Sequence, residues 1–193
     1  RARLPSAHQL SVVPTTGTPA TKRAWALDTK RGAWLERSES SSWTLERRLY
    51  AHQAHRALLV SDYELNTTEP IVLNVSAAQS QADWLQSIDF ALSPDVAVED
   101  DADSKSFSGC THAGETGSPA WVAKHPRPGC TSVAVVYSAP PPLVHARAGA
   151  SRLRLVSAHA SNLSDASPSA AAAASYASAM AAGDGLFDSH VAA

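Results

Sequence analysis

The chain has 193 residues, enough for one sizeable domain with a true core, or one domain plus an appendage. Sixteen basic residues against eighteen acidic ones leave a net charge of −2, with no basic stripe for nucleic acid and no polybasic patch for a membrane surface. No apolar run reaches the roughly 18 residues that span a bilayer.

The opening RARLPSAHQLSVV has neither Met nor a signal-peptide pattern, and the chain closes on DGLFDSHVAA inside a helical pattern. Both ends read as cut, so the chain is expected to be a piece of a longer protein. Residues 8–13 (HQLSVV) read as a short strand. TPATKRAWALD and GAWLERSE flank TKRG at 29–32, a turn ending in Gly32, and together they predict a hairpin. In SWTLERRLY, Trp43, Leu45, Arg47 and Leu49 fall on one face and Thr44, Glu46, Arg48 and Tyr50 on the other, which suits a sheet with one drier face. ALLVSDYEL (57–65) alternates likewise, and PIVLNVSAA (70–78) follows a Thr-Thr-Glu-Pro turn. SVAVVYS (132–138) and SRLRLVSAH (151–159) complete seven or eight strands. The stretch 93–130, rich in Asp, Ser, Gly and Pro, reads as long surface loops.

The chain then changes character. Ser167 as N-cap, Pro168 at the first helical position and Gly183 as the stop frame an alanine-rich helix over 168–182. An alanine-rich linker of weak amphipathicity is the competing reading. A second helix is expected from Asp184 onward. The fold class is mainly β, an antiparallel β-super-sandwich with a C-terminal α-helical linker. Its domains are a sandwich over 1–160, incomplete at its start, and the linker over 161–193.

Each candidate site has a bland rival. His52 and His55 form H-x-x-H at a strand junction, without the i, i+4 helical spacing or the third ligand that a zinc site needs. A hydrogen-bonded structural role is the better reading. Glu46, Asp62 and Glu64 could face one another across a hairpin as an acid–base pair, yet strand carboxylates mostly form cross-strand ion pairs. EDDAD at 99–103 lacks the glycine and closing glutamate of a calcium loop. Ser108 and Ser118 sit near glycines but in no G-x-S-x-G elbow. The five tryptophans, Trp25, Trp34, Trp43, Trp84 and Trp121, could stack on sugars, but most are expected in the core or at a domain contact. The residues alone assign no catalytic, cofactor or metal position.

Cys110 and Cys130 could pair or stay free; a bridge over about twenty residues would stabilise by roughly 3 kcal/mol. Sequons begin at Asn66, Asn74 and Asn162, and three of them favour a secretory route.

Residues 26–65, ALDTKRGAWLERSESSSWTLERRLYAHQAHRALLVSDYEL, resemble the N-terminal domain of glycoside hydrolase family 65. The likeness rests on Leu27, Asp28 and Gly32 of a hairpin, on the Tyr50-Ala51-His52 segment, and on the apolar run Leu58 to Val60. RARLPS at 1–6 resembles the segment after an early "NGYLG" motif in the branch of glucosylgalactosyl-hydroxylysine glucosidases, close to the acid trehalases. Residues 171–193 resemble the helical linker into the catalytic barrel, and 93–130 match nothing. The resemblance implies a super-sandwich packed, through that linker, on an (α/α)6 barrel. The barrel holds the general-acid glutamate and, in the hydrolases, the carboxylate that activates water for inversion at an α-glucosidic bond; the phosphorylases use phosphate instead. The chain stops before any of those residues. It is therefore expected to be a non-catalytic supporting domain whose partners are its own barrel and, through the parent, a carbohydrate: trehalose or the hydroxylysine-linked disaccharide. A free-standing carbohydrate-binding β-sandwich is the alternative. No cofactor is implied.

Overall fold

A computed structural model describes residues 10–55, 57–77, 90–92, 104–111 and 131–193. The strands run β1 Leu10–Pro14, β2 Lys22–Asp28, β3 Ala33–Glu39, β4 Trp43–Ala51, β5 Leu58–Thr67, β6 Ile71–Ala77, β7 Phe90–Leu92, β8 Ser104–Thr111, β9 Thr131–Ser138, β10 Leu143–Ala146 and β11 Gly149–Ser161. Two helices follow, α1 Pro168–Ala181 and α2 Gly185–Ala192. The fold is mainly β, in two antiparallel sheets with helices at the C-terminus, as the sequence predicts. A three-stranded sheet has the order β1-β6-β10, and an eight-stranded one the order β2-β3-β4-β5-β11-β9-β8-β7.

Strand period sets the layers. Trp43 and Leu45 of β4 and Tyr63 and Leu65 of β5 point toward the smaller sheet, where they meet Val12, Ile71, Leu73 and Val75 in the sandwich core. The alternate residues face the other way. There Ala33, Tyr50, Val60, Val156 and Ala158 form a second core, closed by Ala179 of α1 and Leu186 of α2. The large sheet is thus dry on both faces at its centre, where the alternation had suggested one drier face. The unbroken apolar run of β9 has the same cause: Val133 and Val135 pack with Phe107 on one side, while Ala134 and Val136 meet Ala160 and Ala172 of α1 on the other.

Several expectations change. The stretch 93–130 is not all loop, because Ser104–Thr111 is a strand paired along its length with β9. Its Ser, Gly and Cys carry little strand propensity, and pairing to an apolar neighbour overrides that. The short β10, after three prolines, was also not foreseen. The helix over 168–182 forms, but Ser167 caps it without a side-chain hydrogen bond. Gly183 ends it with φ +53, a left-handed turn that suits glycine.

The tryptophans divide. Trp43 is buried and donates its indole N–H to Thr18 O at 2.9 Å. Trp34 is half-buried, and Trp25 is 69% exposed on the edge strand β2, outside the core of this chain. Trp84, Trp121, Ser118, Cys130 and the 99–103 acidic run lie outside the described residues, as does the side chain of Cys110. Asn66, Asn74 and Asn162 are all exposed. Asn162 accepts a bond from Ser132 N–H through Oδ1, which leaves its amide nitrogen, the atom a glycan would take, outside that bond.

Candidate functional site

The two histidines lie in the turn between β4 and β5, which Leu58 and His52 close by backbone bonds (His52 N to Leu58 O, 2.9 Å). Strand parity carries Tyr50 and His52 to the helix side of the sheet. On α2, Leu186 and His190 share one face at i, i+4 spacing, and that face lies on the turn. His190 is 0% exposed and His52 is 2% exposed. The His190 ring lies 4.7 Å from that of Tyr50 and 5.5 Å from that of His52, whose other side meets the His55 ring at 4.8 Å.

Hydrogen bonds fix the protonation of both buried rings. Gln53 N–H donates to His190 Nδ1 at 3.1 Å, so Nε2 carries the proton and donates it to Arg31 O at 2.6 Å. His55 N–H donates to His52 Nδ1 at 3.1 Å, so Nε2–H of His52 points to Leu186 O at 3.1 Å, with Ser189 Oγ at 3.0 Å. Both imidazoles are neutral and fully used. Burial above all, then the neighbouring His55 and His190 rings, holds His52 below the ordinary histidine range, although the Leu186 carbonyl acts the other way. The pair is a latch that pins α2 to the turn. Among the described residues no group of three His, Cys, Asp or Glu side chains is arranged to hold a metal ion.

The latch needs Gly32. That residue has φ +63, and a Cβ there would sit 3.3 Å from Gln53 Nε2 and 3.8 Å from the His190 ring. Gly32→Ala is expected to cost about 1–2 kcal/mol from backbone strain, read as a lower urea midpoint at unchanged slope.

The three carboxylates also resolve. Glu46 and Glu64 are direct cross-strand partners, while Asp62 lies opposite Arg48 on one side and Arg154 on the other. Asp62 accepts from Tyr50 Oη at 3.1 Å and from Arg154 through Nε at 2.6 Å and Nη2 at 3.2 Å. Arg154 also donates to Gly183 O, which ties the pair to the joint between the helices. Burial first, then the Asp62 charge, pushes the Tyr50 phenol well above its ordinary range, so it stays a donor. Glu64 binds Arg48 and Arg152, the latter at 3.0 Å, and Arg152 reaches on to Asp184. Glu46 takes Arg37. Each carboxylate is engaged by at least one guanidinium.

Between α2 and the β2 edge the same sheet face opens into a trough of about 420 Å³. Its floor is Ala24, Ala26, Leu35 and the Phe187 ring, over which the Arg48 guanidinium lies at 4.9 Å. The alternation of the strands foreshadowed this face, but its enclosure by α2 needed the tertiary fold.

These features define a class: an antiparallel β-sandwich domain whose larger sheet is sealed by its own C-terminal helices, latched at a hairpin turn. No protein-family model matches the chain, and no curated protein does. Among solved structures, one named "Putative kojibiose phosphorylase from human microbiome" superposes with a TM-score of 0.55 at 6% identity, over 95% of this chain. The chain spans 26% of that protein's length. At such low identity the likeness speaks for the fold alone.

Proposed function

We propose that this chain is the N-terminal β-sandwich of a family 65-type enzyme acting on an α-glucosidic bond, and that it braces the catalytic barrel without performing the chemistry. The observation that carries the reading is the fold likeness to about a quarter of a phosphorylase-named protein, spanning nearly all of this chain. A second feature supports it. The Tyr50-Ala51-His52 segment of the family resemblance is the segment that holds α2, so the motif has a physical task at the helical exit. The neighbour's name adds kojibiose to the candidate substrates of the parent, beside trehalose and the hydroxylysine-linked disaccharide, with hydrolysis and phosphorolysis both open.

The test is glucose release from trehalose, kojibiose and glucosylgalactosyl-hydroxylysine, with and without inorganic phosphate. It compares this chain with the same chain extended through the following several hundred codons of its gene. Activity confined to the extended form is the expected result. Release by the chain alone would overturn the reading and make Glu46 and Glu64 the first suspects. A second reading, a free-standing carbohydrate-binding module, draws on the exposure of Trp25.

A further inference from the structure

We propose that the groove between β1 and the β2 edge, on the small-sheet face of the large sheet, binds a sugar bearing an anionic group, with Trp25 under the ring and Arg23 on the anion. The proposal rests on the groove and not on a catalytic barrel, so its test and the glucose-release test can fail independently.

The groove encloses about 560 Å³, within the roughly 300–1,000 Å³ range of small-ligand sites. Arg23, Trp25, Glu36, Ser38, Trp43 and Leu45 line it, and the register gives them one parity: Arg23 lies across from Ser38 and then Leu45, and Trp25 across from Glu36. That parity is the one that sends Trp43 and Leu45 into the sandwich core. The opposite wall, β1 and residues 15–20, is tied down. Trp43 Nε1–H donates to Thr18 O at 2.9 Å, Val72 N–H to Thr16 Oγ1 at 2.9 Å, and Thr15 N–H to Val72 O at 2.8 Å. Such a wall needs little ordering when a ligand enters.

Trp25 is 69% exposed, and a ring this large is seldom left so bare in a chain with a filled core. An exposed indole offers a flat apolar surface to the C–H face of a sugar.

Charge sets the class of sugar. Glu36 is spent, since its Oε1 accepts from Trp34 Nε1 at 3.1 Å and its Oε2 from Arg47 Nη1 at 3.3 Å. Arg37 turns to the helix side, where Glu39 and Glu46 take it. Arg23 is different: among the described residues its guanidinium has no hydrogen bond or ion pair, and the Ser38 hydroxyl across from it has none either. A planar fork of N–H donors takes a carboxylate or a phosphate ester two bonds at a time. Arg23 and Trp25 lie two residues apart on one face, about 7 Å along the strand. A pyranose on the indole therefore brings an exocyclic carboxylate or phosphate within reach of the guanidinium, with Ser38 beside it for a hydroxyl.

The experiment is calorimetric titration of the chain with trigalacturonate and glucose 6-phosphate, beside maltotriose as the neutral sugar and inorganic phosphate as the bare anion. One site is expected for at least one of the two anionic sugars, the tighter of them identifying the anion, with maltotriose and phosphate each weaker by about tenfold or more. Arg23→Gln should weaken it at least about tenfold and Arg23→Lys less, while Trp25→Ala should cost about tenfold and Trp25→Phe little. Both side chains are exposed, so their replacement leaves the fold intact, and unchanged urea midpoints check this. No binding of either anionic sugar up to about 10 mM would overturn the proposal. So would maltotriose or phosphate bound as tightly as the anionic sugars, or affinities that Arg23→Gln and Trp25→Ala leave unchanged.

Discussion

Asp62→Ala is expected to lower stability by about 3–5 kcal/mol, the largest effect of any single carboxylate substitution here. Asp62 is 9% exposed and, among the described residues, is the sole carboxylate bonded to the Arg154 side chain. Removing it leaves a guanidinium in a half-dry site and deprives the Tyr50 hydroxyl of its acceptor, so the cost is that of stranded polar groups. It is felt at the helices as well, because Arg154 also holds Gly183 O between α1 and α2. For a domain with about 5–15 kcal/mol in hand, such a loss is a large share of the total. Urea unfolding measures it. Asp62→Asn should cost about half as much, and Asp62→Ala combined with Arg154→Met should recover part of the loss, since the stranded charge is gone. A loss under about 0.5 kcal/mol would mean that the pair behaves like an ordinary surface ion pair.

His190→Ala is the second. The ring is fully buried against Tyr50 and Phe187, and both its nitrogens bond the backbone. Truncation combines a cavity with an orphaned Gln53 N–H and Arg31 carbonyl, at an expected cost of about 3–4 kcal/mol. His190→Phe restores volume but not the bonds, and should recover only part. The same latch gives the protein an acid limit. In the unfolded chain histidines titrate near 6.5. His52 lies below that in the folded state, as does His159, which burial depresses likewise. On acidification the unfolded state therefore takes up protons first. The contribution of these residues is whole above about pH 6.5 and falls as the pH drops below it toward the folded-state values. A proton on His52 Nδ1 also displaces the His55 amide that donates there. Hydrogen exchange of the His55 amide between pH 7.5 and 5 should therefore speed up relative to the chemical rate, ahead of the amides of β5. Equal protection throughout would mean that the latch does not open with protonation.

Much of the frame was legible beforehand because it depends on short-range rules. Period-two alternation located β4 and β5 and assigned Trp43 and Leu45 to one face and Tyr50 to the other. Asp28 and Gly32 marked the hairpin turn, where Arg31 N–H now bonds Asp28 Oδ1 at 3.0 Å. Pro168 and Gly183 bracketed α1. What local pattern could not supply was the partner of each face. The alanine-rich helix looked weakly amphipathic, since alanine lies on every side of it. Ala172, Tyr176 and Ala179 nevertheless form its inward stripe, because small side chains let a helix approach closely a sheet surfaced with Ala134 and Ala160. The histidine pair shows the limit most clearly. Its spacing spoke against zinc and for hydrogen bonding, but the groups it bonds include Leu186 and Ser189, more than 130 residues later in the chain. Likewise β8 carries residues of low strand propensity and exists because β9 offers it a ladder, and Trp25 is left in water because β2 is the edge of the sheet. The sequence by itself determined most of the elements and the faces of the central strands, set within a few residues by sterics and periodicity. Only the tertiary structure decided which surfaces are covered, since burial depends on contacts between segments far apart in the chain.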